Sequence, residues 1–231
     1  MIPKKIHLTW KTRDLMNIKN EFLDKTVNGF VNYSPNWEIE VSDDSDVDSY
    51  LRKYLSKNDY SNLQDRSIIE KIDVWRLIKM YNEGGLYVDI DRLCNKSLDD
   101  IICKKTRLVL PTCADHDFSH DFMCSSPGNP IFLETLKLNL SRRSYGENNI
   151  YFLGPQTYLH GIMIAMIGQI EPRFSVSQLR EMLTKTDFCI TMKELPPFKT
   201  IIYDGDDDFD HEKEKRQFYK ESGLKHWTND W

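Results

Sequence analysis

Asp89 and Asp91 are the pair in this chain whose type and spacing most directly suggest chemistry. They close an apolar run, Leu86-Tyr87-Val88-Asp89-Ile90-Asp91. Two residues apart on a regular strand, they would share one face. Neighbouring carboxylates repel unless a cation or solvent relieves them. Hard divalent ions such as Mn²⁺ and Mg²⁺ accept oxygen ligands of this kind and keep positions open for phosphate oxygens. Such an ion acts as a Lewis acid on a departing phosphate group. An isolated Asp-x-Asp is more often a solvated surface pair. The Gly84-Gly85 stop and the apolar strand leading into the aspartates favour the metal site.

A second group of proton-handling residues is Asp115-His116-Asp117-Phe118-Ser119-His120-Asp121. Asp121, with Asp117 behind it, is the first candidate for a general base on an attacking hydroxyl. The same carboxylate could instead support an oxocarbenium-like transition state, and a solvated loop is the plain alternative. Asp204-Gly205-Asp206-Asp207-Asp208-Phe209-Asp210 lacks the glycine and closing glutamate positions of a calcium loop, so it reads as a solvated acidic loop. The five cysteines lie far apart with no C-x-x-C pair, which argues against a zinc cage and for a reducing compartment.

The elements that must position these groups follow from periodicity. Lys5 to Trp10 and Trp37 to Val41 read as strands, and Leu15 to Tyr33 as helical. Asp46 to Tyr54 reads as a short helix, and Leu63 to Asn82 as the clearest helix, stopped by Gly84-Gly85. Arg107 to Pro111 and Phe122 to Ser125 are expected strands, with helices over Pro130 to Leu140 and Gln156 to Ile170. Strands alternating with helices predict an α/β layered sheet. No repeat or low-complexity linker divides the 231 residues, so one domain is expected.

Asp73-Val74-Trp75-Arg76 followed by Asn82-Glu83-Gly84-Gly85-Leu86-Tyr87-Val88-Asp89-Ile90-Asp91 resembles the Asp-x-x-Arg…Gly-Gly-x-Tyr-x-Asp-x-Asp signature of the family 32 glycosyltransferases. That group is related to initiation mannosyltransferases and to the glucosyltransferase domains of clostridial toxins. Ile2 to Trp10 resembles the family's first strand, Phe122 to Pro130 its middle motif, Leu153-Gly154-Pro155 its Gly-Pro element, and His226-Trp227 with Trp231 its closing pattern. The resemblance implies a GT-A fold: a single Rossmann-like α/β/α domain with a central mixed, mostly parallel sheet. About 1–95 would form the nucleotide-sugar-binding part, and about 96–231 the acceptor side and a C-terminal lid.

The resemblance also implies a Mn²⁺-dependent nucleotide-sugar donor (Mg²⁺ possible), UDP-glucose-like or GDP-mannose-like, and retention at the anomeric carbon. Leu8, Thr9 and Trp10 would line the nucleotide, with Trp10 stacking on the base. Asp73, Arg76, Gly85, Tyr87 and Asp89 would hold the sugar, ribose and phosphate. Asp89, Asp91 and His226 would hold the metal, and Trp231 would close over the donor. Plainer readings stand beside these: Trp10 as a core aromatic, Asp73 and Arg76 as a simple i, i+3 pair. His120 and Asp121 stand where family members often carry an asparagine just before the Phe-Met element.

A formal net charge of −5 argues against a nucleic-acid partner, which wants a clustered basic face. The partners expected are a nucleotide-sugar donor and a glycan or glycoprotein acceptor. No signal-peptide core or membrane span is read in the chain, which points to the cytoplasm. Two other classes share the aspartates: a metal-dependent phosphohydrolase, and a carbohydrate-binding protein with a relic site. The first would want a nucleophile or second metal cluster close by, and Arg92-Leu93-Cys94 offers none; the second would be expected to have lost Asp91 or Arg76.

Overall fold

The computed structural model describes residues 1–94, 96–113, 117–142, 149–185, 189–191 and 211–223. Among the described residues the strands are β1 (Lys5–Thr9), β2 (Glu38–Ser42), β3 (Gly85–Val88), β4 (Leu108–Leu110), β5 (Thr112–Cys113), β6 (Asp117–Phe118), β7 (Phe122–Ser125) and β8 (Cys189–Thr191). Six of them form one sheet in the order β2-β1-β3-β7-β4-β8, and β5 pairs with β6 as a small hairpin. Within the sheet β7 alone runs antiparallel to its neighbours β3 and β4; the other pairings are parallel. The expected mixed, mostly parallel α/β sheet is therefore the observed one.

Side-chain alternation splits the core into two layers. Leu86 and Val88 of β3, with Phe122 and Cys124 of β7, face Phe22, Phe30 and Phe218. Tyr87 and Met123 face the other way, onto Trp75, Phe132 and Tyr158. The first face is covered by helices Glu21–Lys25, Val27–Tyr33 and His211–Glu221; the second by Asp44–Tyr54, Ile68–Asn82, Pro130–Ser141 and Pro155–Ile167. A strand with apolar residues on both faces is the pattern of a sheet covered on both sides.

Three local expectations change. The stretch from Leu15 to Tyr33 is a 3-10 turn and two short helices, because the Asn20 side chain caps Phe22 and the Thr26 hydroxyl donates to the Phe22 carbonyl. The main helix starts at Ile68 rather than Leu63: Ser67 and Glu70 form a capping box, and Leu63 caps the preceding Lys57–Asn62 helix. Finally, β3 ends at Val88. Asp89 and Asp91 lie in the turn beyond it, closed by the Arg92 amide donating to the Asp89 carbonyl, so they do not share a strand face.

The Gly84-Gly85 stop has a second cause besides ending the helix. Both glycines have positive φ (66° and 92°). A Cβ on Gly85 would stand 2.5 Å from the Lys5 carbonyl oxygen of β1, and one on Gly84 2.6 Å from the Ser125 carbonyl oxygen of β7. Glycine lets β3 enter between its two neighbours.

Candidate active site

The carboxyl ends of the parallel strands β1 and β3 and the start of β7 meet at one edge of the sheet, the crevice in which α/β folds bind ligands. Trp10 follows β1, Asp89 follows β3, and Asp121 precedes β7; the Asp89 amide donates to the Asp121 carbonyl at 2.9 Å. Structure thus brings together Thr9, Trp10, Asp73, Arg76, Tyr87, Asp89, Asp91 and Asp121. Leu8 points into the core. Gly85 sits at the far end of β3, roughly 13 Å from Asp89 by strand rise. Asp117 lies in β6, with its side chain outside the described set; His226 and Trp231 lie outside the described residues.

Arg76 organises one half of the site. It is buried on the Ile68–Asn82 helix, with Nη2 3.0 Å from Asp73 Oδ1, Nη1 3.7 Å from Asp89 Oδ1, and Nη1 donating to the His120 carbonyl at 3.0 Å. Its guanidinium lies over the Tyr87 ring at 4.4 Å. Burial opposes its charge, but Tyr87, Asp73, Asp89 and Asp91 outweigh that and hold it protonated above its ordinary range. The Tyr87 hydroxyl donates to Asp89 Oδ1 at 2.5 Å. Burial first, then the Asp89 carboxylate, keep that phenol well above its usual pKa.

Asp73 is 3% exposed and neither of its oxygens has a hydrogen bond among the described residues. The His120 imidazole Nε2, 3.4 Å from Asp73 Oδ1, is likewise unmatched. Gly154 closes over both: a Cβ there would stand 2.7 Å from His120 Nε2 and 3.2 Å from Asp73 Oδ2. Buried acceptors without donors are costly, so this cradle is chemically suited to sugar hydroxyls. Asp121 is held by Arg92 at one carboxylate oxygen and by the Ser119 hydroxyl at the other.

Asp91 belongs to the other half. Its Oδ2 meets Lys215 Nζ at 2.6 Å, and both side chains are mostly buried (14% and 15% exposed). The Tyr219 phenol is pushed well above its ordinary pKa by burial, then by the negative field of Asp91 and Asp89. Both carboxylates therefore act on the Tyr219 phenol. Asp89 keeps 34% of its side chain exposed, and the ammonium on Asp91 marks a place where positive charge is stabilised. Two hard oxygen donors beside a cation position fit Mn²⁺ or Mg²⁺.

Sequence reasoning missed Lys215 and its companions. Lys215, Phe218, Tyr219 and Ser222 recur at i, i+3, i+4, i+7, the spacing of one helical face, which is the signal that could have found them. It also missed a charged cluster near the opposite end of β3. His7, Glu40 and Glu83 have ligand atoms within 4.8 Å of one another. Lys79 Nζ already lies 2.9 Å from Glu40 and 3.0 Å from Glu83, and Lys5 adds a second ammonium within 4 Å. That acidic pair is neutralised by lysines, as Asp91 is by Lys215.

Residues 21–108 match the family described as the glycosyltransferase sugar-binding region containing the DXD motif. Inositol phosphoceramide mannosyltransferase 1 of Schizosaccharomyces pombe is 27% identical over 144 residues, covering 61% of this chain and 43% of that protein. The mannosyl phosphorylinositol ceramide synthase CSH1 of Saccharomyces cerevisiae is 29% identical over 153 residues, covering 64% and 37%. The chain thus spans about two fifths of the length of the curated relatives it matches. Among solved structures, the PaToxG glycosyltransferase superposes with a TM-score of 0.50 at 19% identity, covering 72% of this chain and 71% of that one, a likeness of fold. With its Asp73–Arg76 pair and its Asp89–Asp91 turn gathered at the carboxyl edge of a mixed, mostly parallel sheet, the chain is similar over residues 21–108 to the glycosyltransferase sugar-binding region that contains the DXD motif.

Proposed function

We propose that this chain transfers a hexose, from a nucleotide diphosphate sugar held with a divalent cation, onto a hydroxyl of a glycan or glycolipid. The observation that carries the reading is the placing of Asp89 and Asp91 in the turn after β3, at the carboxyl edge of the sheet, with the unmatched Asp73–His120 cradle beside Arg76. Relatives named as mannosyltransferases acting on inositol phosphoceramide favour a GDP-mannose-like donor and an inositol-bearing acceptor. Trp10 would carry the base, and Tyr87 and Asp89 the ribose and phosphate side. A divalent ion on Asp89 and Asp91, joined by His226, would neutralise charge on the departing diphosphate.

In the reaction the bond from the anomeric carbon to the diphosphate oxygen breaks and the acceptor oxygen takes its place. The acceptor proton leaves with the diphosphate or to solvent. Arg76, fixed by Asp73 and the His120 carbonyl, sets the positions of Asp89 and the sugar cradle. Asp121 is engaged by Arg92 and Ser119, so its role is to stabilise positive charge developing on the sugar ring rather than to accept a proton. That arrangement supports retention. In this proposal residues 1–95 bind the donor, and 96–231 supply the acceptor face and a lid that Trp231 completes. The cytoplasm is the proposed compartment, supported by the free buried thiols of Cys94 and Cys124.

The test is calorimetric titration of GDP-mannose and UDP-glucose with and without Mn²⁺, on the natural chain and on Asp91→Asn. One of the two sugars should bind only with metal, and the variant should lose that binding while melting normally. Absence of any metal-dependent sugar-nucleotide binding sinks the proposal.

A further inference from the structure

Both positions that a metal-bound donor needs are filled by one element of the chain itself. The Phe218 ring stacks on Trp10 with centroids 5.3 Å apart and planes 25° apart, the geometry a nucleobase would adopt on that indole. One turn earlier on the same helix, His211–Glu221, Lys215 places its ammonium 2.6 Å from Asp91 Oδ2, where a cation would sit. Tyr219 stands edge-on to Trp10 at 6.3 Å and lies in the field of both aspartates. An aromatic ring and a cation, spaced three residues apart on one helical face, reproduce the two chemical features of a metal-bound nucleoside diphosphate.

We propose that the His211–Glu221 helix is a built-in occupant of the donor site, with Phe218 in the place of the base and Lys215 in the place of the metal, so that donor binding requires the helix to move aside. The inference rests on the donor-site reading above.

With the helix in place, buried polar atoms of the site stay unmatched. Among the described residues Trp10 Nε1 is buried with no acceptor beside it, and neither Asp73 oxygen accepts a hydrogen bond, its Arg76 ion pair apart. A nucleotide sugar carries the acceptors and hydroxyls that both lack. Besides Trp10 and Asp91, the helix meets the core through Phe218, which also stacks on Phe22 with centroids 5.3 Å apart. Among its described residues Phe218 alone is buried in the core, Tyr219 packs partly against it, and the Lys11 ammonium donates to the Ser222 carbonyl at 2.6 Å. The rest of its surface is charged or polar (Lys213, Glu214, Arg216, Gln217, Lys220, Glu221). A protein whose competent state is a minority binds its ligand more weakly by that minority fraction. Freeing Asp91 and Trp10 should therefore raise affinity.

The experiment compares the natural chain with Lys215→Met and Phe218→Ala. Mn²⁺ alone is titrated and free ion read by electron paramagnetic resonance; GDP-mannose and UDP-glucose are titrated with Mn²⁺ by calorimetry. Thermal melts confirm that each variant is folded. Lys215→Met should bind Mn²⁺ roughly tenfold more tightly, and Phe218→Ala should bind the preferred sugar nucleotide roughly tenfold more tightly. If the natural chain binds a sugar nucleotide with metal and both folded variants bind no more tightly, the helix is a fixed part of the core and the inference is overturned, while the donor-site reading stands. If no form of the protein binds a sugar nucleotide, both fall. Should Phe218→Ala fail to fold, the Mn²⁺ affinity of Lys215→Met decides alone.

Discussion

Replacing Arg76 with methionine should destabilise the fold by about 3–5 kcal/mol, the range for removing one partner of a buried ion pair. The pairing to be lost is large in gross terms. With an effective dielectric constant of about 20, a charge pair at the 3.0 Å Asp73 distance is worth about 5.5 kcal/mol, and one at the 3.7 Å Asp89 distance about 4.5. Much of this offsets the desolvation of the guanidinium, so the net effect comes from what is stranded. Asp73, already without a hydrogen bond, would be left buried with no strong counter-charge, and the His120 carbonyl would lose its donor. Methionine keeps most of the volume, so cavity formation contributes little. Urea unfolding monitored by tryptophan fluorescence measures the change. The double variant Asp73→Asn/Arg76→Met should recover about half of the loss, because the stranded charge is gone. A single variant within about 1 kcal/mol of the natural chain, or a double variant worse than the sum of the singles, would refute the view that Arg76 holds this corner together.

The pH dependence of stability should carry a signature of Glu40. Its carboxyl is held at about 2, through His7 and then Lys79, well below its ordinary 4.5. A depressed carboxylate contributes stability that is full above about 4.5 and is lost as pH falls through about 2, so Glu40→Gln should flatten the acid limb in that window. That depression would amount to about 3.4 kcal/mol unscreened, and with a third of the side chain exposed about 1–2 is expected. Unchanged acid unfolding in Glu40→Gln would place the charge balance of that cluster elsewhere. Gly85→Ala should cost about 2–4 kcal/mol, since the new methyl meets the Lys5 carbonyl at positive φ. Gly128→Ala, also at positive φ but facing open space, should cost about 1 kcal/mol, and equal thermal shifts for the two would show that close strand approach is not what selects Gly85.

Much of the donor half was legible in the sequence because its residues are local. The helix stop at Gly84-Gly85, the apolar run and the two aspartates sit within eight positions, and Asp73 and Arg76 lie one helical turn apart, so local periodicity places them. Element boundaries were less legible wherever a side chain competes with the backbone. Thr26 broke a helix expected to be continuous, and the Ser67–Glu70 box moved another start by five residues. The end of β3 at Val88 turned a shared strand face into a turn, a difference no two-residue spacing reveals.

What the sequence determined by itself is the local grouping of Asp73, Arg76, Asp89 and Asp91 and the ligand chemistry proposed for it, since these depend on residue chemistry at short spacing. The tertiary structure decided everything that requires distant segments to meet. It brought His120 and Gly154 against Asp73, set Arg92 on Asp121, and placed lysines in the His7–Glu40–Glu83 cluster. It also laid Phe218 on Trp10 and Lys215 on Asp91, across more than a hundred residues of chain. Contacts of that sequence separation follow from how two helical layers close on a sheet, and no local pattern encodes them.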